Sequence, residues 1–189
     1  INLGDKSALY RQELMILDML TNINDEHWKR PIHFATTITP SLFMNLQDSN
    51  FSLNGLTYQV VPGIPLSKGV NTAATYDNMM NKFRFGGLEE DPDIYLDETN
   101  RRMISTFRLY FTQLVNALLE EGENEKALAA IDKANRVMPS SAVPYGTDGL
   151  LFARAYYRLG EVEKAEAIID EIRGRLNSNL DWFSRLKPL

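Results

Sequence analysis

Apolar residues recur along the chain with two different periods, and the change between them falls near residues 92–98. Between Ser7 and Thr21, Leu9, Leu14, Leu17, Met15 and Met19 return every three to five positions. That spacing predicts an amphipathic helix with those side chains facing a core. Asn22, Asn24 and Asp25 break the pattern. The apolar run Pro31-Ile32-His33-Phe34-Ala35 predicts a short strand. Thr39 then serves as the cap and Pro40 as the first residue of a short helix reaching Leu46, since proline has no N–H to lose at that position. Leu56 to Val61 predicts a second strand, closed by Pro62. Asn71 or Thr72 opens a further helix towards Phe85, stopped at Gly86-Gly87. Residues 1–95 therefore read as a small α+β unit.

From about residue 96 the pattern is helical, and it repeats. Gly122-Glu123-Asn124-Glu125-Lys126-Ala127 matches Gly160-Glu161-Val162-Glu163-Lys164-Ala165, an offset of 38 residues. Each block lies between two helical segments, so each marks the tight turn of a helical hairpin, and such repeats signal stacked helix pairs. Residues 96–189 are thus expected to hold two hairpins. Leu180, Trp182, Phe183 and Leu186 are expected to add a C-terminal capping helix, because two hairpins cannot cover their own ends. The helix of residues 72–85, with Tyr76, Met79, Met80 and Phe83, is expected to pack on the first hairpin. The predicted class is α+β, mostly α.

The repeats resemble the tetratricopeptide family. Phe111, Leu114 and Leu118 stand at its large apolar positions, and Ala127, Ile131, Ala134 and Pro139 follow its small–large–small–Pro series. In the second unit Phe152, Ala153 and Tyr156 precede Gly160, and Ala165, Ile169 and Ile172 follow. Small residues let paired helices approach closely, while large ones fill the space between neighbours. The chain departs from the family at Val115, which replaces a small residue, and at Asn177, where no proline ends the unit. Its period of 38 also exceeds the family's usual value of about 34, with the extra length in Pro139–Pro144. The family's geometry places Leu109, Thr112, Asn116 and Leu119, then Thr147, Leu150, Arg154 and Tyr157, along a concave groove. The resemblance thus implies a polar strip of Thr112, Asn116, Arg154 and Tyr157 able to hold an extended peptide or a glycan.

Composition narrows the chemistry. The chain has no cysteine, which excludes thiolate nucleophiles, thiolate metal sites and disulfides. The net charge of −5 argues against nucleic acid and against an anionic membrane as partners, because phosphate binding needs a basic surface. No stretch approaches the roughly 18 consecutive apolar residues of a membrane span. The start at Ile1 without Met or signal-peptide core reads as an excised or processed fragment.

Few residues point to catalysis. His27 and His33, the two histidines, are six apart, which fits no helical metal-ligand pair. His33 could act as a base beside a carboxylate, though a structural histidine is the simpler reading. The run Glu89-Glu90-Asp91-Pro92-Asp93 lacks the alternating ligands and central glycine of a calcium loop. Asp97 instead reads as the cap of a helix starting near Thr99, with Glu98 favourable in its first turn. Asn81–Gly87 mixes cations and aromatics, and helix C-terminal chemistry accounts for it. The sequon Asn50-Phe51-Ser52 reads as coincidence. No catalytic residue, metal ligand or cofactor is assigned.

A second resemblance covers most of the chain. The strings Met15–Met19, Trp28–Ala35, Gly55–Pro62, Tyr76–Phe83, Gly86-Gly87, Tyr95–Glu98 and Val143–Tyr145 are similar to the C-terminal soluble region of a bacterial family. Its members are multi-spanning membrane proteins of unknown function, similar to protein O-mannosyltransferases. The resemblance implies a domain on the periplasmic face of a membrane, attached to a polytopic part that holds the chemistry. It implies a non-catalytic accessory role, docking an acceptor polypeptide, a protein partner or a glycan, or steadying the membrane portion of the parent chain. Two other classes remain open: a free-standing peptide-binding repeat protein, and an enzyme with its site near His33 and Lys29-Arg30.

Overall fold

Helix starts and stops are written locally in this chain. Asp97 accepts the Asn100 N–H at 2.8 Å and opens the long helix, and Asn71 accepts the Ala74 N–H at 3.1 Å and opens a short one. Both satisfy backbone donors that a helix N-terminus leaves unpaired. The computed structural model describes residues 8–44, 46, 50–62, 69–91 and 93–186. Ser7, the expected start of the first helix, and Pro92 of the acidic run lie outside the described residues. The element order is α1 (Arg11–Asp25), β1 (His33–Ala35), β2 (Phe51–Leu53), β3 (Thr57–Val60), α2 (Thr72–Asp77), α3 (Glu98–Glu120), α4 (Asn124–Val137), α5 (Thr147–Leu159) and α6 (Val162–Ser184). A short 3₁₀ turn covers Pro40–Phe43, and a π turn covers Asn78–Lys82. The chain is α+β and mostly helical, as its periodicity predicts. It forms two compact units, Ile1–Asn78 and Met79–Leu189.

In the first unit, three short antiparallel strands lie in the order β1-β3-β2. Phe34 pairs with Tyr58 and Phe51 with Val60. This register gathers Phe34, Phe43, Phe51 and Tyr58 into one aromatic cluster, with ring centroids 5.1–6.0 Å apart. Leu20 of α1 and Val60 complete the core, and Ile16, Leu17 and Trp28 pack on it. The core-facing stripe of α1 is therefore Ile16, Leu17 and Leu20. The sequence pattern placed Leu14, Met15 and Met19 there, but these three are exposed. Ile16, Leu20 and Ile23 hold the i, i+4, i+7 spacing that a single helical face requires, and Leu17 lies three residues before Leu20 on its flank. Strand β2 has no counterpart in the sequence reading, and the helix expected to run to Phe85 ends at Lys82. Asn50 of the sequon donates to the Val61 carbonyl at 3.1 Å and Ser52 is buried, so the sequon is packing and not a displayed acceptor.

At the end of α1 the chain holds two consecutive non-glycine residues in the left-handed region, His27 at φ 55° and Trp28 at φ 57°. The Trp28 N–H closes back to Ile23 O at 2.9 Å, the ring pattern of a helix C-terminus that glycine usually completes. The turn swings Trp28 onto the core, while His27 stays exposed. His27→Gly is expected to raise stability by about 0.5–1 kcal/mol, since it relieves left-handed strain and discards no packing. Urea unfolding checks the sign, and destabilisation would show that the imidazole makes a needed contact.

The second unit repeats its turns as its sequence does. Glu123 N–H reaches Leu118 O at 2.9 Å, and 38 residues on Glu161 N–H reaches Tyr156 O at 3.0 Å. Gly122 and Gly160 supply the left-handed residue at φ 79° and 80°. Ala127, Ala130 and Ala134 of α4 are fully buried and let that helix close on α3, where Phe111, Leu114 and Leu118 fill the space. Each large side chain so buried stabilises by roughly 1.5–3 kcal/mol. Phe85 packs on Phe111 with centroids 5.7 Å apart, and Lys133 Nζ lies over the Phe85 ring at 5.6 Å from its centroid. The aromatic-basic stretch before Gly86-Gly87 is thus part of this unit's packing. A separate C-terminal capping helix does not form, because α6 runs unbroken through Ser184 and keeps Leu180, Trp182 and Phe183 exposed.

Candidate functional site

Helices α3 and α5 lead the two hairpins and pack side by side. Of the four polar positions expected along their shared face, the structure presents two fully. Arg154 and Tyr157 are exposed one turn apart on α5. The Tyr157 hydroxyl donates to Glu166 of α6, and this bond raises its pKa above the ordinary tyrosine value. No side chain among the described residues pairs with the Arg154 guanidinium. Asn116 is half-buried and accepts from Arg158 at 3.3 Å, a link between α3 and α5. Thr112 is only 4 % exposed and donates to the Arg108 carbonyl at 3.0 Å. Thr112 is therefore turned away from solvent, so the strip reduces to Asn116, Arg154 and Tyr157. Leu109 and Leu150 are exposed beside it and make the face amphipathic.

The buried polar centre of this unit is a residue the sequence reading passed over. Arg108 is 0 % exposed. Its Nη1 donates to Asp148 at 2.8 Å, while Nη2 donates to the carbonyls of Met138, Pro139 and Val143 at 2.8, 3.1 and 2.7 Å. The Tyr145 ring lies 4.8 Å from the guanidinium carbon. One planar cation thereby ties α3 to three carbonyls of the α4–α5 connection. The available signal was position. Ile104, Arg108, Phe111 and Val115 share the i, i+4, i+7, i+11 stripe, so Arg108 stands where an apolar residue is due.

On the other side of the unit, α4 and α6 flank an open cleft of about 500 Å³ that includes Asp132, Asn135, Tyr156 and Lys164. Tyr156 donates to Asp132 at 2.7 Å and accepts from Asn135 at 2.7 Å, and Tyr145 donates to Asn135 at 2.6 Å. Lys164 pairs with Asp132 at 2.9 Å. Burial pushes Tyr145 up to about 12, and burial with the Asp132 bond raises Tyr156 as well. Both hydroxyls stay protonated at neutral pH and donate along one hydrogen-bonded chain.

The first unit holds a smaller pocket of about 350 Å³ between Leu20, Trp28, Asn50, Val60 and Pro62. His33 lies elsewhere: it is exposed on β1, and its Nδ1 meets the Thr57 hydroxyl at 3.0 Å, not a carboxylate. Arg30 is engaged by Glu26 in a bidentate pair at 2.6 and 2.8 Å. In the acidic run, Glu89 pairs with Arg136 at 2.9 Å. Among the described residues no three histidine, aspartate or glutamate side chains converge on a common point. No helix of the described residues is long and apolar enough to cross a membrane.

Residues 1–81 match the family model of TMEM260-associated domain 2. That match ends close to the boundary of the first compact unit at Asn78, so sequence similarity and packing mark off the same piece of chain. No curated protein and no solved structure matches the chain.

Proposed function

We propose that the chain is a non-catalytic, extracytoplasmic accessory domain of a membrane glycosyltransferase-like protein. Its first unit belongs with the membrane protein, and its helical unit docks a polypeptide acceptor or partner. The match of residues 1–81 to a domain named for its association with TMEM260 carries the first half of this reading. The repeated helical hairpins support the second, because helical pairs stacked side by side build extended binding surfaces. On α5 the unpaired Arg154 supplies a fixed charge and Tyr157 an amphipathic platform, and Leu109 and Leu150 add apolar contact. An extended chain with exposed hydroxyls and carbonyls fits such a strip. The buried titratable groups Arg108, Asp148, Tyr145 and Tyr156 are tied into structural hydrogen bonds, which accords with a binding role.

A fluorescein-labelled, unstructured Ser/Thr-rich peptide titrated with the protein tests this by anisotropy. Arg154→Ala and Tyr157→Ala are each expected to weaken capture about tenfold, the effect of removing an exposed Arg or Tyr anchor. Unchanged binding in both variants would sink the proposal.

A further inference from the structure

The apolar stripe that α6 buries through Ala165, Ile168 and Ile172 does not stop at Ile172. It continues on the same face through Leu176, Leu180 and Phe183, at helical spacings of four and three. The partner helix is too short to follow, for α5 has 13 residues and α6 has 23. Leu176, Leu180, Trp182, Phe183 and Leu186 are consequently 51–65 % exposed. Contiguous apolar exposure of this kind marks an interaction site. Trp182 and Phe183 stand edge to face with centroids 4.9 Å apart. On a helical projection the four positions within α6, Leu176, Leu180, Trp182 and Phe183, spread over about 160°, wider than the seam a single partner helix covers.

The charge of the segment points to the occupant. From Arg173 to Lys187 the sequence carries Arg173, Arg175, Arg185 and Lys187 against Asp181 alone, within a chain of net charge −5. Arg173 pairs with Asp170 and Arg175 donates to the Tyr145 carbonyl, which anchors the root of the overhang. Arg185 stands exposed at its tip. A second copy aligned along this end would bring the same cations into contact, whereas an anionic lipid surface brings the opposite charge. Tryptophan suits the boundary between headgroups and acyl chains, and arginine stems lie along apolar surface while their heads reach phosphate. Averaged charge hides this, because screening confines each charge to about 8 Å at physiological salt.

We propose that the exposed end of α6, Leu176–Leu186, docks on an anionic lipid surface. Its Leu, Trp and Phe side chains enter the headgroup boundary, and the exposed Arg185 at its tip meets the lipid phosphates. This proposal does not rest on the polypeptide-docking face of α3 and α5.

The 189-residue chain is mixed with vesicles of phosphatidylcholine, either alone or with about one-third phosphatidylglycerol. Sedimentation and the tryptophan emission maximum are then read. Anionic vesicles are expected to bind and shift emission to the blue, with binding falling as salt rises. Trp182→Phe is expected to lose that shift while still sedimenting. Leu180→Ser with Phe183→Ser is expected to bind at least about tenfold less, by the loss of apolar area entering the boundary. Circular dichroism should be unchanged in that variant, because both positions are already exposed. The proposal is overturned by equal sedimentation of variant and parent, by equal binding to both vesicle types, or by no vesicle binding. A concentration-dependent dimer lost in the same double variant, without vesicle binding, would assign the face to a second copy instead.

Discussion

Arg108→Met is expected to destabilise the helical unit by about 3–5 kcal/mol, the usual cost of removing one partner from a buried ion pair. The substitution leaves the Asp148 carboxylate buried without its cation and strips donors from the carbonyls of Met138, Pro139 and Val143. Each unsatisfied buried group costs roughly 1–3 kcal/mol. The Tyr145 ring also loses the guanidinium stacked on it. Asp148 has a second duty, since its other oxygen accepts the Gly146 N–H at 2.8 Å and shapes the entry to α5. Arg108→Lys is expected to recover little, because an ammonium cannot span four acceptors that a planar fork reaches together. Urea unfolding followed at the helical circular dichroism band measures the loss. A cost below about 1 kcal/mol, the range of an exposed pair, would show that Arg108 is not the tie described.

Gly149→Ala carries the second large effect, and its sign runs against propensity. Alanine in a helix is normally better than glycine by about 1 kcal/mol. At Gly149 the new Cβ would lie 2.5 Å from Tyr145 Cβ and 2.7 Å from its Cγ. Tyr145 cannot step aside cheaply: its hydroxyl is fixed on Asn135, Arg108 covers its ring, and Phe152 stands 6.4 Å from it. Overpacking of a fixed neighbour costs typically 1–3 kcal/mol and sometimes more, so a net loss of about 2 kcal/mol is expected. Gly174 in α6 provides the internal comparison, since nothing lies within 4 Å of its added Cβ. Gly174→Ala should therefore gain up to about 1 kcal/mol. Thermal unfolding of the two variants side by side checks the opposed signs. Two gains would contradict the described approach of α5 to Tyr145.

The parts of the fold legible in the sequence are those set by local chemistry. Asn71 and Asp97 begin helices because their side chains cap them, and Gly122 and Gly160 end helices because the left-handed turn favours glycine. The hairpin repeat follows from those turns. Strand β2 was not legible: Phe51-Ser52-Leu53 alternates apolar and polar, but three residues are too short a run for alternation to signal a strand. The face of α1 was misread because Leu14, Met15 and Met19 are as apolar as Ile16, Leu17 and Leu20. Only packing against the aromatic cluster chooses between the two faces. The expected capping helix needed a break in α6, but no proline lies between Val162 and Ser184, and the helix runs through Gly174 and Asn177-Ser178-Asn179 unbroken.

The candidate face was legible in outline and wrong in one register position. Repeat geometry located α3 and α5, but α3 buries Thr112 and leaves Leu109 outside. Arg108 escaped notice because an arginine is ordinarily read as solvated. Its place in an otherwise apolar stripe was the physical signal, and its buried partners lie 30 to 40 residues away in sequence.

The central claim is that the exposed face of α3 and α5 captures a polypeptide. Site-specific photo-crosslinking reads that contact directly. A photoreactive residue replaces Leu150 on the face in one variant and Leu128, on α4, in another. Each variant is irradiated with the Ser/Thr-rich peptide. The account predicts a peptide adduct at position 150 that is lost when Arg154 and Tyr157 are both replaced by alanine, and no adduct at position 128. Equal labelling at both positions, or an adduct at 150 that survives the double replacement, would contradict it.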